Sequence, residues 1–191
     1  MQSISNRLIG SNAGKGALLA VAFALGLMTL GTAARAESVR IVAMGASNTA
    51  GQAVGAAAAW PALLESMLKA KGYDINFSVA GVVGDTSAGI ASRVDSAVPN
   101  GTKVVLFDVG GGNDKDRGLA MGASRGEIVA RIKAKGAIPI EVAYAAIVGA
   151  ESPSNAAWIQ GDPHHHITAQ SHQKVAAVLL PKVIAAIGAK K

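Results

Sequence analysis

The sequence contains no cysteine and few aromatic residues. With no cysteine, the chain cannot form disulfide bonds, and thiolate chemistry is excluded. Aromatic residues make up only 4% of the chain. The basic residues are scattered along it and form no stripe interleaved with aromatics. Nucleic acid is therefore not an expected partner, in spite of the net charge of +6.

Acidic residues are also missing from the start of the chain, where the first is Glu37. Basic Arg7 and Lys15 precede an almost wholly apolar run over Gly16–Leu30, which is followed by the small-X-small sequence Ala34-Arg35-Ala36. This order predicts that residues 1–36 are a secretory signal peptide that is cleaved. The apolar run is short for a membrane-spanning helix of about 20 residues. We therefore expect no stable membrane insertion after cleavage.

Residues 37–191 have the length of one compact domain. Removal of the signal peptide takes away three basic residues and no acidic one, which halves the net charge. We expect this domain to be secreted or periplasmic. Its oligomeric state is left open, and a monomer is compatible with the sequence.

Short strand-like runs alternate with longer helical patterns along this domain. A helix is predicted over 57–71 and a last helix beginning at Thr168, with a kink at Pro181. Residues 145–160 are predicted to be loop, with room for a short fifth strand. The predicted strands are Val39–Met44, Ile75–Val79, Lys103–Val109 and Ile138–Ala143. The alternation predicts an α/β fold, a three-layer α/β/α sandwich with a parallel sheet of four or five strands.

Polar and glycine-rich clusters follow three of these strands. They are Gly45-Ala46-Ser47, Gly81-Val82-Val83-Gly84-Asp85 and Gly111-Gly112-Asn113-Asp114. A fourth cluster, Gly161-Asp162-Pro163-His164-His165-His166, precedes the last helix. In a parallel sheet the first three clusters meet at one edge, where open α/β sheets bind ligands.

These residue types match the needs of acyl transfer. A serine hydroxyl, here Ser47, attacks a carbonyl once a histidine takes its proton. One of the histidines at 164–166 can be that base, and Asp162 can orient it. The backbone N–H of Gly81 and the amide of Asn113 can stabilise the oxyanion. Each residue alone also has an ordinary structural explanation, and only their order along the chain favours catalysis.

This order resembles the SGNH or GDSL hydrolase family, whose members are flavodoxin-like esterases, lipases, thioesterases and carbohydrate deacetylases. The resemblance covers the whole of residues 37–191. It implies that Ser47 is the nucleophile and that Ser47, Gly81 and Asn113 form the oxyanion hole. The chain departs from the family pattern at Ala46, where the family usually has an aspartate, and at Val79, where it often has an asparagine.

The resemblance leaves two candidates for the base. The family spacing Asp-X-X-His selects Asp162 with His165. The family pattern downstream, together with the helix cap at Thr168, selects His166. The register of the helix favours His166, and His165 stays open. His164 and His172 are expected to be bystanders.

The resulting hypothesis is an exported serine hydrolase that cleaves a small-molecule carboxylic ester or thioester through an acyl-enzyme. It needs neither cofactor nor metal. Two alternatives stay open, namely a catalytically inactive SGNH-like binding module and a carbohydrate O-deacetylase that uses the same site. A metal-dependent protein using the three adjacent histidines is less favoured, because neighbouring loop histidines cannot easily reach one ion.

Overall fold

The computed structural model describes residues 38–188. The predicted signal peptide at 1–36 lies outside the described residues. The four predicted strands are present and all pair in parallel. They lie in the order β2-β1-β3-β4, with β1 Val39–Gly45, β2 Ile75–Gly81, β3 Thr102–Phe107 and β4 Ile138–Glu141. Residues 145–160, predicted to be loop with room for a fifth strand, contain no strand of the sheet. A short helix, Tyr144–Val148, occupies the beginning of this region instead, and Trp158 forms an isolated antiparallel bridge with Ile167.

Eight α-helices and a single 3₁₀ turn at Ala56–Ala58 occur among the described residues. Thr86 and Thr168 cap two of them through their hydroxyl groups, as the capping preference of threonine predicts. The helices are α1 Ser47–Ala50, α2 Trp60–Ala70, α3 Ser87–Ser92, α4 Val94–Ala97, α5 Gly111–Asp116, α6 Arg125–Ala134, α7 Tyr144–Val148 and α8 Ala169–Ile187. Pro181 lies inside α8, which continues to Ile187. Within 38–188 no helix combines the length and the apolar character needed to cross a membrane.

The sheet is buried on both faces, because successive side chains of its central strands point to opposite sides. One face packs mainly against α2 and α8, and the other against α3, α4 and α6. On the first face the strands contribute Ile41, Ala43, Val104 and Leu106, and on the second Val42, Met44, Val105 and Phe107. Two cores on opposite faces of one sheet confirm the predicted three-layer sandwich.

Arg93, the residue between α3 and α4, fixes the carboxyl ends of the two strands nearest the predicted site. Its Nη1 donates to the carbonyl of Ala80 at 2.6 Å and its Nη2 to the carbonyl of Gly45 at 2.7 Å. Its Nε pairs with Asp85 at 2.7 Å. One guanidinium group therefore holds the ends of β1 and β2 in register with the loop that follows β2.

Candidate active site

Ser47 is the first residue of α1 and follows β1 after a single residue, Ala46. The side chain is almost buried, with 6% of the residue exposed. It lines a cavity of about 420 Å³ together with Asn113 and His165. A serine at this turn therefore lies at the carboxyl edge of the sheet, where the sequence predicted it.

His166, which is buried, forms a close pair with the partly buried Asp162. The Nδ1 of His166 lies 2.6 Å from Asp162 Oδ2. The same carboxylate accepts the backbone N–H groups of His164 at 3.0 Å and His166 at 3.1 Å. Desolvation acts to raise the pKa of Asp162, but these two N–H groups and the charge of His166 outweigh it, and the pKa is lowered. Asp162 is therefore ionised and holds the imidazole in one orientation.

The other ring nitrogen of His166 is in an unusual position. His166 is 5% exposed. Among the described residues, its Nε2 is the only buried side-chain nitrogen or oxygen with no hydrogen-bond partner. Buried polar atoms without a partner are rare and costly in folded proteins. A buried imidazole with one nitrogen anchored by a carboxylate and the other unpaired keeps a free lone pair that can accept a proton.

His165, the alternative base, has both ring nitrogens occupied. Nδ1 lies 2.7 Å from Glu151 and Nε2 lies 3.1 Å from Asp116. The bond to Asp116 raises the pKa of His165, partial burial acts the other way, and Glu151 adds to the increase. To take a proton from Ser47, this ring would have to leave one of its two carboxylates.

The predicted catalytic residues line two neighbouring pockets. Ser47 and Asn113 line the cavity of about 420 Å³, which is called the main cavity because it contains the candidate nucleophile. Asp162 and His166 line a shallower cleft beside it, and His164 lines both. Because His166 Nε2 has no partner, no hydrogen bond joins it to Ser47 in this structure. Catalytic hydrogen bonds are often long in ligand-free enzymes and tighten when substrate binds.

Of the two remaining predicted oxyanion groups, only Asn113 faces the main cavity. Its Nδ2 donates to the carbonyl of Asp85 at 2.8 Å, which orients the amide. Gly81 does not line the cavity. Its α-carbon packs instead against α1, where a Cβ would overlap the backbone of Thr49 and Ala50. The role of Gly81 as an oxyanion donor stays a prediction, whereas its role in close packing is visible.

A buried carboxylate lies beneath the turn that carries Ser47. Asp108 follows β3 and is 4% exposed. It accepts the N–H of Ala46 at 3.1 Å and the hydroxyl of Thr49 at 2.5 Å, both beside Ser47. It also accepts the N–H of Gly110 at 2.8 Å and the hydroxyl of Tyr144 at 3.2 Å. Asp108 therefore joins the serine turn to the loops that follow β3 and β4.

His172, expected from the sequence to be a bystander, supports the neighbouring helix. Its Nδ1 accepts the backbone N–H of Trp60, the first residue of α2, at 3.1 Å. Burial, together with the nearby charge of His166, lowers the pKa of His172 to about 4. It is therefore neutral at physiological pH and acts as a hydrogen-bond acceptor.

The three adjacent histidines do not converge on one point. His165 faces Asp116 and Glu151, whereas His166 faces Asp162. Between residues 38 and 188, no group of three or more His, Asp or Glu side chains is arranged to hold a metal ion. This arrangement gives no support to the metal-dependent alternative.

Sequence reasoning missed two polar residues next to the candidate nucleophile. Asn48 follows Ser47 directly, and its side chain contacts the backbone of His165 and Ile167. Asp108 directly follows β3, whose last four residues are apolar, and a charge at such a position was the signal available in the sequence. Neither contact could be predicted, because each joins residues far apart in the chain.

In sequence comparisons the chain matches no family model and no curated protein. Comparison with solved structures finds proteins of the same fold. TesA has a TM-score of 0.64 and 19% identity, covering 77% of this chain and 99% of TesA. The psychrotrophic esterase EstA from Pseudoalteromonas sp. has a TM-score of 0.60 and 18% identity, covering 78% and 98%.

AlinE4, an SGNH-hydrolase family esterase, has a TM-score of 0.52 and 24% identity, covering 80% of this chain and 98% of AlinE4. Nearly the full length of each of these proteins is therefore matched by the domain that the structure describes. Together with the parallel four-stranded sheet and its two covering layers, this similarity means that the chain has the fold of the SGNH/GDSL hydrolases.

Proposed function

We propose that this protein is an ester hydrolase that works through an acyl-enzyme on Ser47. The observation that carries the proposal is the state of His166. Its imidazole is buried, its Nδ1 lies on the Asp162 carboxylate, and its Nε2 has no partner. An unpaired buried nitrogen of this kind is explained if its partner is the serine hydroxyl in the substrate complex.

The proposed reaction follows from this arrangement. Asp162 holds the proton of His166 on Nδ1, so the lone pair of Nε2 is available. The Oγ of Ser47 attacks the carbonyl carbon of the ester, and Nε2 of His166 takes the proton that Oγ loses. The imidazolium then returns the proton to the leaving alcohol or thiol, and an acyl-serine forms. Water, activated by the same nitrogen, releases the acid and restores the serine.

Charge on the carbonyl oxygen has to be stabilised during both steps. We propose that the backbone N–H of Ser47, the backbone N–H of Gly81 and the amide of Asn113 form the oxyanion hole. The case is strongest for Asn113, which lines the cavity beside Ser47. One of its two amide hydrogens is used by Asp85, and the second can serve the oxyanion.

The substrate is proposed to be a small molecule. Apolar side chains line the cavity beyond Ser47, among them Val109, Met121, Val142 and Trp158. Such a lining suits a hydrocarbon acyl group more than a sugar. This favours a carboxylic ester or thioester over an O-acetylated carbohydrate, although the chemistry at Ser47 would be the same.

A fluorophosphonate probe tests the proposal, because it reacts with an activated serine. EstA, which has the same fold, was crystallised inhibited by monoethylphosphonate. We expect the probe to label the folded protein at Ser47, and Ser47→Ala to lose both labelling and hydrolysis of p-nitrophenyl acetate. Mass spectrometry of the labelled peptide identifies the site.

Ser96→Ala is the matched control, because Ser96 lies on α4 and, within residues 38–188, its hydroxyl bonds only to the carbonyl of Arg93. It should label and hydrolyse as the unaltered protein does. Absence of labelling at Ser47 in the folded, unaltered protein would contradict the proposal and favour an inactive binding module.

A further inference from the structure

The side chain of Asn48 joins the serine turn to the loop that carries the proposed base. Its Nδ2 donates to the carbonyl of His165 at 3.0 Å. Its Oδ1 accepts the backbone N–H of Ile167 at 3.1 Å. These two backbone groups lie on either side of His166. One amide, on the residue next to Ser47, therefore holds the backbone on both sides of His166.

The backbone of His165 adopts a conformation that needs such support. Its φ is +60°, and it is the only described residue other than glycine with a positive φ. The backbone of residues other than glycine is strained in this region, so contacts with surrounding groups must stabilise it. Those contacts are Asn48 on the carbonyl and Asp116 and Glu151 on the two ring nitrogens.

The bend at His165 decides where His166 lies. Immediately after it, the His166 side chain turns inward to Asp162, and residue 167 enters the core. Asn48 has no capping role in its own helix, because α1 has no side-chain cap and begins at Ser47. The side chain of Asn48 therefore stabilises the loop that contains His166 and not the helix in which Asn48 itself lies.

We propose that Asn48 is a positioning residue that sets the placement of His166 relative to Ser47. The side-chain contacts of His165 stabilise the backbone bend on which this placement depends. The proposal rests on the proposed function, because it assigns Asn48 an effect that passes through His166. Asn48 touches neither ring nitrogen of His166, so it acts on the base only through the backbone.

The first test removes the amide. We expect Asn48→Ala to lower kcat for p-nitrophenyl acetate and the rate of fluorophosphonate labelling by roughly 10- to 100-fold, because small displacements of a catalytic group have effects of this size. KM should change by less than about threefold. Asn48→Asp keeps an acceptor for the N–H of Ile167 but sets a carboxylate oxygen against the carbonyl of His165. It should not recover the activity.

A general loss of stability would not give this pattern. Thr102→Ala is the control for stability, because it removes a buried hydrogen bond to the carbonyl of Pro99 at the opposite end of β3. It should lower the melting temperature and leave kcat unchanged at 25 °C. If Asn48→Ala behaves like Thr102→Ala, Asn48 has only a structural role and the proposal is wrong.

A double-mutant cycle tests whether the effect passes through His166. In a His166→Gln background, Asn48→Ala should cause no further loss of the labelling rate, since there is no base left to position. Additive losses would overturn the proposal. A His165→Gly variant keeps the left-handed backbone but removes the ring contacts, and should lose less activity than His166→Gln. A larger loss for His165→Gly than for His166→Gln would make His165 the base instead and would overturn the proposal.

The experiments distinguish failure of the positioning role of Asn48 from failure of the proposed function. If the unaltered protein neither labels at Ser47 nor hydrolyses esters, the proposed function fails. If the unaltered protein is active, Ser47→Ala is inactive and Asn48→Ala is fully active, only the positioning role of Asn48 fails.

Discussion

The two aspartates of the candidate site, Asp108 and Asp162, have opposite electrostatic environments. Burial raises the pKa of Asp108, although hydrogen bonds from Thr49, Gly110, Ala46 and Tyr144 act against the increase. Asp162 is more accessible, and the donors around it lower its pKa. Asp162 therefore suits the role of a charged partner for an imidazolium. Asp108 suits a structural role, because all four groups around it donate hydrogen bonds to its carboxylate.

His172 predicts how stability depends on pH. Its pKa in the folded protein is about 4, lowered from 6.5 by burial and by His166. The unfolded chain therefore binds a proton below pH 6.5 that the folded protein does not bind until about pH 4. The contribution of neutral His172 to the free energy of unfolding is therefore complete above pH 6.5, and it is lost as the pH falls toward 4. The loss amounts to about 3 kcal/mol across this window.

The His172→Asn variant tests this dependence, because asparagine can present an acceptor to the N–H of Trp60 without titrating. Urea unfolding measured between pH 4 and pH 8 should give a shallower pH dependence for the variant than for the unaltered protein. Subtracting one curve from the other removes the pH dependence that comes from titrating groups present in both proteins. Parallel curves across the whole range would mean that His172 is not the group responsible.

At the level of elements, the site depends on a close approach between β2 and α1. Gly81 ends β2 against the backbone of α1, with no room for a Cβ. Gly45, opposite it at the end of β1, has its own α-carbon against Asp108 and Thr49. Glycine at both positions is therefore required by packing, whatever hydrogen bonds these residues make to a substrate.

A Gly81→Ala variant should be destabilised by about 1–3 kcal/mol, as expected for overpacking. The added methyl group meets backbone atoms of α1, which cannot move without displacing Ser47. We therefore expect kcat to fall as well, even though the N–H of residue 81 is retained. Urea unfolding and ester hydrolysis measure the two effects.

Gly126 provides the control for Gly81. It lies in α6, and a Cβ there would meet nothing within 4 Å. Gly126→Ala should stabilise the protein by roughly 0.5–1 kcal/mol, because alanine is the better helix former, and kcat should not change. Equal behaviour of the two variants would contradict the packing argument for Gly81.

For the whole molecule, export is the prediction that the described residues do not address. Expression of the full chain in a bacterial host should release a protein that begins at Glu37, as read by mass spectrometry of the intact protein. A variant with Ala36→Lys removes the small residue at the cleavage site and should keep its first 36 residues. An exported, unaltered protein that still begins at Met1 would show that the segment is not a cleaved signal.

The sequence alone predicted the strands, the two longest helices and the edge of the sheet at which the site lies. Strand and helix patterns depend on local periodicity, and the order of polar clusters depends on strand ends, so both can be read along the chain. The four parallel strands, the three layers and the cap at Thr168 were reached in this way. The helix α5 Gly111–Asp116 was not, because its glycines disfavour a helix locally.

The tertiary structure alone decided what holds the candidate catalytic residues. Spacing in the sequence left His165 and His166 as alternatives. Only the folded chain separates the histidine with an unpaired nitrogen from the one held by Asp116 and Glu151. Likewise, Asn48 reaches residues more than a hundred positions away, and Asp108 contacts a turn about sixty positions before it. Such contacts depend on how strands and loops pack in three dimensions, which local sequence patterns do not encode.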